Sequence, residues 1–438
     1  MKKFMYGVST SAFQIEGDDG AQGRGKSVWD NYCEREGIIH NNENAKVTTD
    51  HYNRYREDVA LMAESGIDSY RFSTSWSRIF PDGIGKINEK GADFYDRLID
   101  ELLKYGIEPL LTMYHWDLPQ ALSDRGGFQN PDFSEWFASY AGFIAKRYGD
   151  RVKFFCTFNE PINAVHSSYY AGAFAPGYRL NEEQALWCIY RLHEAHGKAC
   201  SILHEVVKNS ICGVAMSTFE EYPAVNTEKC VQVAKEKFFA CSQLTEAVDV
   251  YLDPVYLGRY PRRVEEKYPE FAEKTRDIGK ICESAKSDYV GFNTYSGCPI
   301  KENGEIAARP SGVPVSVIGA DIDSKGLYWG TKFLAERYKK PVYILENGTA
   351  CPDWVSVDGK IHDTDRIDFF KRHLAEVEKL QRENVDIRGY FVWSILDNFE
   401  WLKGYTCRFG LVHVDYETLK RTPKDSFYFY RDYIKSKK

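Results

Sequence analysis

The chain has 438 residues and a formal net charge of −7, and 15% of its residues are aromatic. The length alone suggests about three domains, although α/β barrels of this size form one. The negative charge argues against a nucleic-acid groove, and the high aromatic content excludes a disordered chain. Aromatic rings in such numbers suit either a core or a cleft for ligands with apolar and hydroxylated faces.

The cysteines and the termini indicate the compartment. Eleven cysteines are scattered along the sequence without a C-x-x-C pair, which predicts free thiols in a reducing environment. The start, Met1–Gly7, lacks an apolar stretch with a cleavage site, and no long apolar run predicts a membrane span. A cytoplasmic protein is therefore expected, with neither a membrane nor a nucleic acid as partner.

Short apolar runs alternate with helix-period stretches along the whole chain. The predicted strands are Phe4–Ser9, Ser69–Ser73, Pro109–Tyr114, Phe154–Asn159, Ile211–Ser217, Tyr289–Thr294, Val342–Glu346 and Gly389–Ser394. The predicted helices include Tyr52–Glu64, Glu89–Tyr105, Phe133–Tyr148, Asn181–Lys208 and Arg366–Arg382. This alternation, without a linker, predicts a single (β/α)8 barrel domain over residues 1–438. A dinucleotide-binding sheet is disfavoured because no G-x-G-x-x-G joins a strand to a helix.

Active sites of such barrels lie where the strands end. Glu160 and Glu346 each follow an apolar strand directly, where a buried carboxylate is costly unless a partner or a function retains it. A facing carboxylate pair supports glycoside hydrolysis, in which one group protonates the leaving oxygen and the other attacks the anomeric carbon or activates water. Arg71, on a neighbouring strand, is placed to hold one of them ionised. From spacing alone, a salt-bridge function at the barrel rim stays open.

Longer motifs identify a family. Their segments, in chain order, are Phe13–Gly17, Arg71–Trp76, Tyr114–Gln120, Thr157–Pro161, Ala175–Gly177, Asn293–Tyr295, Ile344–Gly348 and Trp393–Trp401. Together they resemble glycoside hydrolase family 1, the β-glucosidase family, over essentially the whole chain. The resemblance implies a (β/α)8 barrel that hydrolyses β-glycosides with retention of configuration.

The resemblance also implies a function for each matched residue. Glu160 corresponds to the acid/base and Glu346 to the nucleophile, while Arg71 and Tyr295 correspond to residues that hydrogen-bond the nucleophile. The implied substrate-binding residues are Gln14, His115, Asn159, Trp393, Glu400, Trp401 and Phe409. No metal and no cofactor are expected, because both chemical steps are carboxylate chemistry.

The predicted activity is that of an exo-β-glucosidase, which releases a terminal non-reducing β-D-glucosyl residue from small β-glucosides or cello-oligosaccharides through a covalent glycosyl-enzyme intermediate. The alternatives are a 6-phospho-β-glucosidase, a transglycosidase and a non-catalytic glycan-binding relative. The first is disfavoured because Glu400 would repel a phosphate. Galactoside or fucoside preference, aglycone preference and a homo-oligomeric state stay open. Ala320 stands where many relatives carry a tryptophan at the aglycone entrance.

His193, His196 and His204 lie in one predicted helix. The first two are three residues apart, whereas the zinc-binding H-E-x-x-H motif needs a spacing of four. Packing is therefore the expected function of this trio, and a metal site is not predicted from it.

Overall fold

Eight parallel strands form a closed barrel in a computed structural model that describes residues 4–17 and 22–438. The strands are β1 (Met5–Ser9), β2 (Ser69–Ser73), β3 (Glu108–Tyr114), β4 (Phe154–Asn159), β5 (Ile211–Ser217), β6 (Tyr289–Asn293), β7 (Val342–Asn347) and β8 (Ile387–Trp393). Each strand pairs with its neighbours in sequence, and β8 pairs with β1 in register. The predicted (β/α)8 barrel is confirmed. Met1–Lys3, part of the segment used above to argue against a signal peptide, lie outside the described residues.

Helices cover the outside of the barrel. Single long helices follow seven of the strands, and they are His51–Ser65, Glu89–Lys104, Phe133–Tyr148, Glu182–Val206, Lys325–Tyr338, Thr364–Arg382 and Asp425–Lys437. Five shorter helices connect β5 to β6, and they are Glu228–Phe239, Val248–Tyr256, Arg262–Lys267, Pro269–Lys274 and Ile278–Ala285. No helix within the described ranges combines the length and apolar character needed to cross a membrane.

Short elements decorate the loops at the strand ends. Helical turns cover Ala12–Ile15, Val28–Cys33, Trp76–Ile79 and Gln120–Ser123, and a π-helical turn covers Asn163–Tyr170. The strands Glu221–Pro223 and Cys298–Ile300 pair in parallel, and Val412–Val414 pairs with Arg421–Pro423 in antiparallel fashion. These small sheets lie outside the barrel and fix the loops that carry several site residues.

The barrel interior contains an apolar layer toward the strand starts. Side chains from six strands, among them Leu110, Phe154, Tyr289, Tyr343 and Phe391, form one buried cluster. Inward-facing side chains of a barrel stack in such layers, so the interior is packed rather than hollow. Polar side chains can therefore gather only beyond this layer, at the carboxyl ends of the strands.

Candidate active site

The strand ends bring together residues that are far apart in sequence. Arg71 belongs to β2, Asn159 ends β4 and Glu346 lies in β7, while His115 and Glu160 directly follow β3 and β4. All five are at most 6% exposed. The two glutamates that the sequence predicts to act together thus lie in one buried polar cluster.

Glu346 is held by a cation and a phenol. Its Oε1 accepts from Arg71 Nη1 and its Oε2 accepts from the Tyr295 hydroxyl. Burial raises the pKa of Glu346, while the charge of Arg71 and the Tyr295 hydrogen bond oppose that rise. A guanidinium in direct contact favours the charged carboxylate, so Glu346 is the member of the pair that stays ionised.

Within the described residues, the Glu160 carboxyl group has only amide partners. Asn293 Nδ2 donates to its Oε1 at 2.7 Å, and Asn163 Nδ2 donates to its Oε2 at 2.5 Å. Burial, and then the negative charge of Glu346, raise the pKa of Glu160 to about 7. Glu160 also has a positive φ of 45° immediately before Pro161, a conformation that is unfavourable for a non-glycine residue and is retained mainly at functional sites.

Asn159 connects the two carboxylate environments. Its Oδ1 accepts from Arg71 Nη2 at 2.6 Å and from Asn293 Nδ2 at 2.9 Å, and its Nδ2 donates to His115 Nε2 at 3.0 Å. His115 is therefore assigned as the neutral tautomer with its proton on Nδ1. Burial and the nearby Arg71 charge lower the pKa of His115 well below its usual value. Among the described residues no group bonds His115 Nδ1, which leaves this buried donor available to a ligand hydroxyl.

A polar wall comes from the first and last parts of the chain. Gln14 Nε2 donates to the Phe399 carbonyl at 2.9 Å and contacts Glu400 Oε2 at 3.4 Å. Burial, and then the charges of Glu346 and Glu160, raise the pKa of Glu400 to about 8. Gln14 and Glu400 together present amide and carboxyl groups of the kind that bind adjacent sugar hydroxyls.

An aromatic wall borders the same site. The Trp401 ring lies 5.8 Å from that of Phe13, 4.5 Å from that of Trp29 and 4.8 Å from that of Trp116, centroid to centroid. His115 stacks against Trp393 at 5.7 Å. These rings leave Trp401 only 5% exposed, so its position is set by packing before any ligand binds.

A small apolar cluster completes the site. Trp393, Phe409, Ala350 and Cys407 pack together, and Tyr295 packs against them. The Phe409 and Tyr295 rings meet edge to face at 6.0 Å. The substrate-binding residues expected from the sequence and the nucleophile-orienting pair therefore lie in one buried network of contacts.

The histidine trio lies away from this network and packs as expected. His193 Nδ1 is 3.0 Å from the Tyr260 hydroxyl, His196 Nε2 is 2.7 Å from Ser287 Oγ, and His204 Nδ1 is 3.0 Å from Ser210 Oγ. Within residues 4–17 and 22–438, no cluster of His, Cys, Asp and Glu side chains is arranged to hold a metal ion.

Comparison with known proteins gives the family. The model of glycosyl hydrolase family 1 matches residues 1–438. The chain belongs to this family. Among curated family 1 relatives, beta-glucosidase A of Thermotoga maritima is 40% identical over 440 residues, covering 99% of this chain and 97% of the relative. The 1,4-beta-D-glucan glucohydrolase of Thermotoga neapolitana is 39% identical and covers 100% of this chain and 99% of its own length.

Solved family 1 structures agree with the barrel. The beta-glucosidase from Thermotoga maritima superposes with a TM-score of 0.90 at 39% identity, covering 99% of this chain and 98% of that one. The same enzyme in complex with glucoimidazole also gives a TM-score of 0.90, at 40% identity and with the same coverage. The agreement extends over nearly the full length, so the loops that carry the site belong to the family fold.

Three contacting residues were given no function by the sequence analysis, although Asn293 lies in a matched segment. Asn293 reaches both Glu160 and Asn159, Asn163 binds Glu160, and Glu220 binds the backbone of Tyr295. The sequence does indicate Asn293 as a site residue, because it ends β6 beside polar residues. Asn163 begins a π-helical turn, an irregularity frequent at functional sites but invisible in the residue pattern.

Proposed function

We propose that this chain is a retaining exo-β-glucosidase in which Glu346 is the nucleophile and Glu160 is the acid/base. The observation that carries the proposal is that the two carboxyl groups have different hydrogen-bond partners. Glu346 contacts a buried guanidinium, whereas Glu160 contacts neutral amides and has its pKa raised to about 7. One ionised and one protonated carboxyl group near neutral pH are what the reaction needs.

The first step forms a covalent intermediate. The Glu346 carboxylate attacks the anomeric carbon as the glycosidic bond breaks, and Glu160 gives its proton to the departing oxygen. Arg71 and Tyr295 hold the attacking carboxylate in one orientation. Once Glu346 is esterified its charge is gone, so the pKa of Glu160 falls and Glu160 becomes a base.

The second step reverses these functions. Glu160 takes a proton from water, the water oxygen attacks the anomeric carbon, and Glu346 leaves as a carboxylate. The sugar is released with its original β configuration. Asn293 donates to Glu160 and also lowers the pKa of Glu346. One amide close to both carboxylates favours the short separation of a retaining pair over the wider one that an inverting enzyme needs for its water.

The walls of the site support glucose as the terminal sugar. Gln14, His115 and Glu400 offer hydrogen-bonding groups on one side, and Trp393 offers an aromatic surface. The pKa of Glu400 is raised to about 8, so this carboxyl group is mostly protonated near neutral pH, and its ionised form would repel a 6-phosphate. Trp401 is buried among aromatic rings, which supports a site that is closed at one end, as exo-cleavage requires. The names of the relatives, beta-glucosidase A and 1,4-beta-D-glucan glucohydrolase, agree with this proposal.

A cytoplasmic location is part of the proposal. All eleven cysteines are free, and eight of them are buried. Unpaired buried thiols are typical of reducing compartments. The chemistry itself does not depend on this location.

Rates on a panel of substrates test the proposed function. The p-nitrophenyl β-glucoside, β-galactoside, β-fucoside and 6-phospho-β-glucoside should be compared by kcat/KM, with the first product anomer followed by NMR. We expect hydrolysis of the unphosphorylated glucoside with β-glucose released first. Initial release of the α anomer would contradict retention, and preference for the 6-phosphoglucoside would support the alternative substrate.

A further inference from the structure

A buried carboxylate that the mechanism does not use holds the loop of Tyr295. Glu220 follows β5 and is 4% exposed. Its Oε1 accepts the backbone N–H of Tyr295 at 2.7 Å, and its Oε2 accepts that of Ser296 at 2.6 Å. Both oxygens of one carboxyl group thus bind the N–H groups of two consecutive residues. Burial raises the pKa of Glu220 to about 8, and these two backbone donors oppose that rise because they favour the ionised form.

The backbone of Glu220 is fixed on both sides. Its N–H donates to Thr218 Oγ1 at 2.8 Å, and its carbonyl accepts from the Cys298 N–H at 3.1 Å. The parallel pairing of Glu221–Pro223 with Cys298–Ile300 begins at the next residue. Glu220 has a positive φ of 58°, which is unfavourable for a non-glycine residue and persists only where its surroundings impose it. Local structure therefore aims this side chain at the loop.

The helix Lys325–Tyr338 packs against the loop that contains Tyr295 and Ser296. Gly326 lies in the first turn of the helix Lys325–Tyr338. A Cβ at Gly326 would come within 2.1 Å of the Ser296 carbonyl oxygen and 3.1 Å of Glu220 Cβ. The first turn of this helix therefore packs closely against both the loop and Glu220, which limits movement of the loop toward the helix.

Tyr295 is held at both ends. Its backbone N–H binds Glu220, and its hydroxyl binds Glu346. We propose that Glu220 is a positioning residue that sets the Tyr295 hydroxyl on the Glu346 carboxylate. It touches neither the sugar nor the reacting atoms and acts only through Tyr295. This inference rests on the proposed function, since it takes Glu346 as the nucleophile.

Glutamine at position 220 would disrupt this arrangement with little change in shape. An amide offers one acceptor oxygen, so it satisfies one backbone N–H and turns an NH2 donor toward the other. The matched control is Glu221→Gln at the next position. Within the described residues the Glu221 side chain accepts no hydrogen bond from Tyr295 or Ser296.

The test is a double-mutant cycle of Glu220→Gln and Tyr295→Phe, with Glu221→Gln as control, assayed on p-nitrophenyl β-glucoside. Loss of one of the two hydrogen bonds to the loop, about 1 kcal/mol, predicts that Glu220→Gln lowers kcat about fivefold with a smaller change in KM. The Tyr295 hydroxyl lowers the pKa of Glu346, so a displaced hydroxyl should let that pKa rise. The acidic limb of kcat/KM should therefore move to higher pH in Glu220→Gln. In the Tyr295→Phe background, Glu220→Gln should change kcat less than about twofold, because coupled residues are not additive.

Each outcome bears on the inference. Additive losses of kcat in the double mutant would overturn the inference. So would a Glu220→Gln variant in which the acidic limb of kcat/KM stays in place, because a merely structural contribution lowers stability without moving that limb. If Glu220→Gln fails to fold, Glu220→Asp replaces it in the same cycle, since aspartate keeps both acceptors but withdraws them from the loop. Absence of hydrolysis by the wild type would overturn the proposed function together with this inference. Wild-type hydrolysis with an unchanged Glu220 variant would overturn this inference alone.

Discussion

Replacing Asn163 with alanine should move the basic limb of the pH–rate profile to higher pH. The Asn163 amide donates to Glu160 Oε2 at 2.5 Å, and this bond lowers the pKa of Glu160 because it favours the ionised form. A hydrogen bond to a charged group contributes about 1.5–3 kcal/mol. Asn163 is partly exposed, so the lower figure applies, and it corresponds to about one pKa unit. The pKa of Glu160, about 7 in the wild type, should therefore rise by about one unit.

The assay is kcat/KM for cellobiose across the pH range, because a sugar leaving group requires protonation and kcat/KM reports the free enzyme. Above neutral pH the variant should keep a larger share of its maximal rate than the wild type does. The matched control is Ser167→Ala, since Ser167 Oγ donates to Asn163 Oδ1 at 3.2 Å and so perturbs Asn163 on the side away from the carboxylate. A basic limb that stays in place or moves down in Asn163→Ala would refute the reasoning.

Three further predictions concern stability, the aglycone side and the thiols. Arg71→Met removes one partner of a buried ion pair, so the free energy of unfolding in urea should fall by about 3 kcal/mol; a value equal to the wild type would show that the pair contributes nothing. Val317 donates its N–H to the Ala350 carbonyl at 3.1 Å, which places the turn of Ala320 beside the apolar cluster. Ala320→Trp should therefore lower KM for aryl β-glucosides about two- to tenfold through ring contacts, and an equal change for alkyl glucosides would contradict this. A thiol reagent should label the native protein only at its partly exposed cysteines, whereas eleven thiols should react after denaturation, and rapid native labelling of all of them would contradict the packing. The partly exposed cysteines are Cys241, Cys282 and Cys298.

The strands were predictable because they are short apolar runs with clear ends. β4 has the predicted bounds, since its apolar run ends before Glu160 and Pro161. β8 begins two residues earlier than predicted, at Ile387. Arg388 interrupts the apolar pattern there, and it lies at a register shift in the pairing with β7. The five helices between β5 and β6 could not be delimited from periodicity, since prolines such as Pro254 fall within or between them.

The site was predictable where its residues follow a strand and less so elsewhere. Glu160 and Glu346 stand at strand ends, and closure of the barrel brings such ends together. Asn163 lies beyond the end of β4 and reaches Glu160 only because a π-helical turn begins there. Glu220 reaches Tyr295 through a left-handed residue in an irregular loop, and no periodic pattern reports such a conformation. The missed residues thus depend on local backbone geometry that propensity does not encode.

The identity of the nucleophile is the central claim, and chemical rescue tests it. Glu346→Ala should lose hydrolysis of an activated aryl β-glucoside, because nothing then attacks the anomeric carbon. Added azide should occupy the vacated space, attack from the same face as the missing carboxylate, and yield an α-glucosyl azide. Near-native hydrolysis by Glu346→Ala without azide, or formation of the β-glucosyl azide, would contradict the assignment of Glu346.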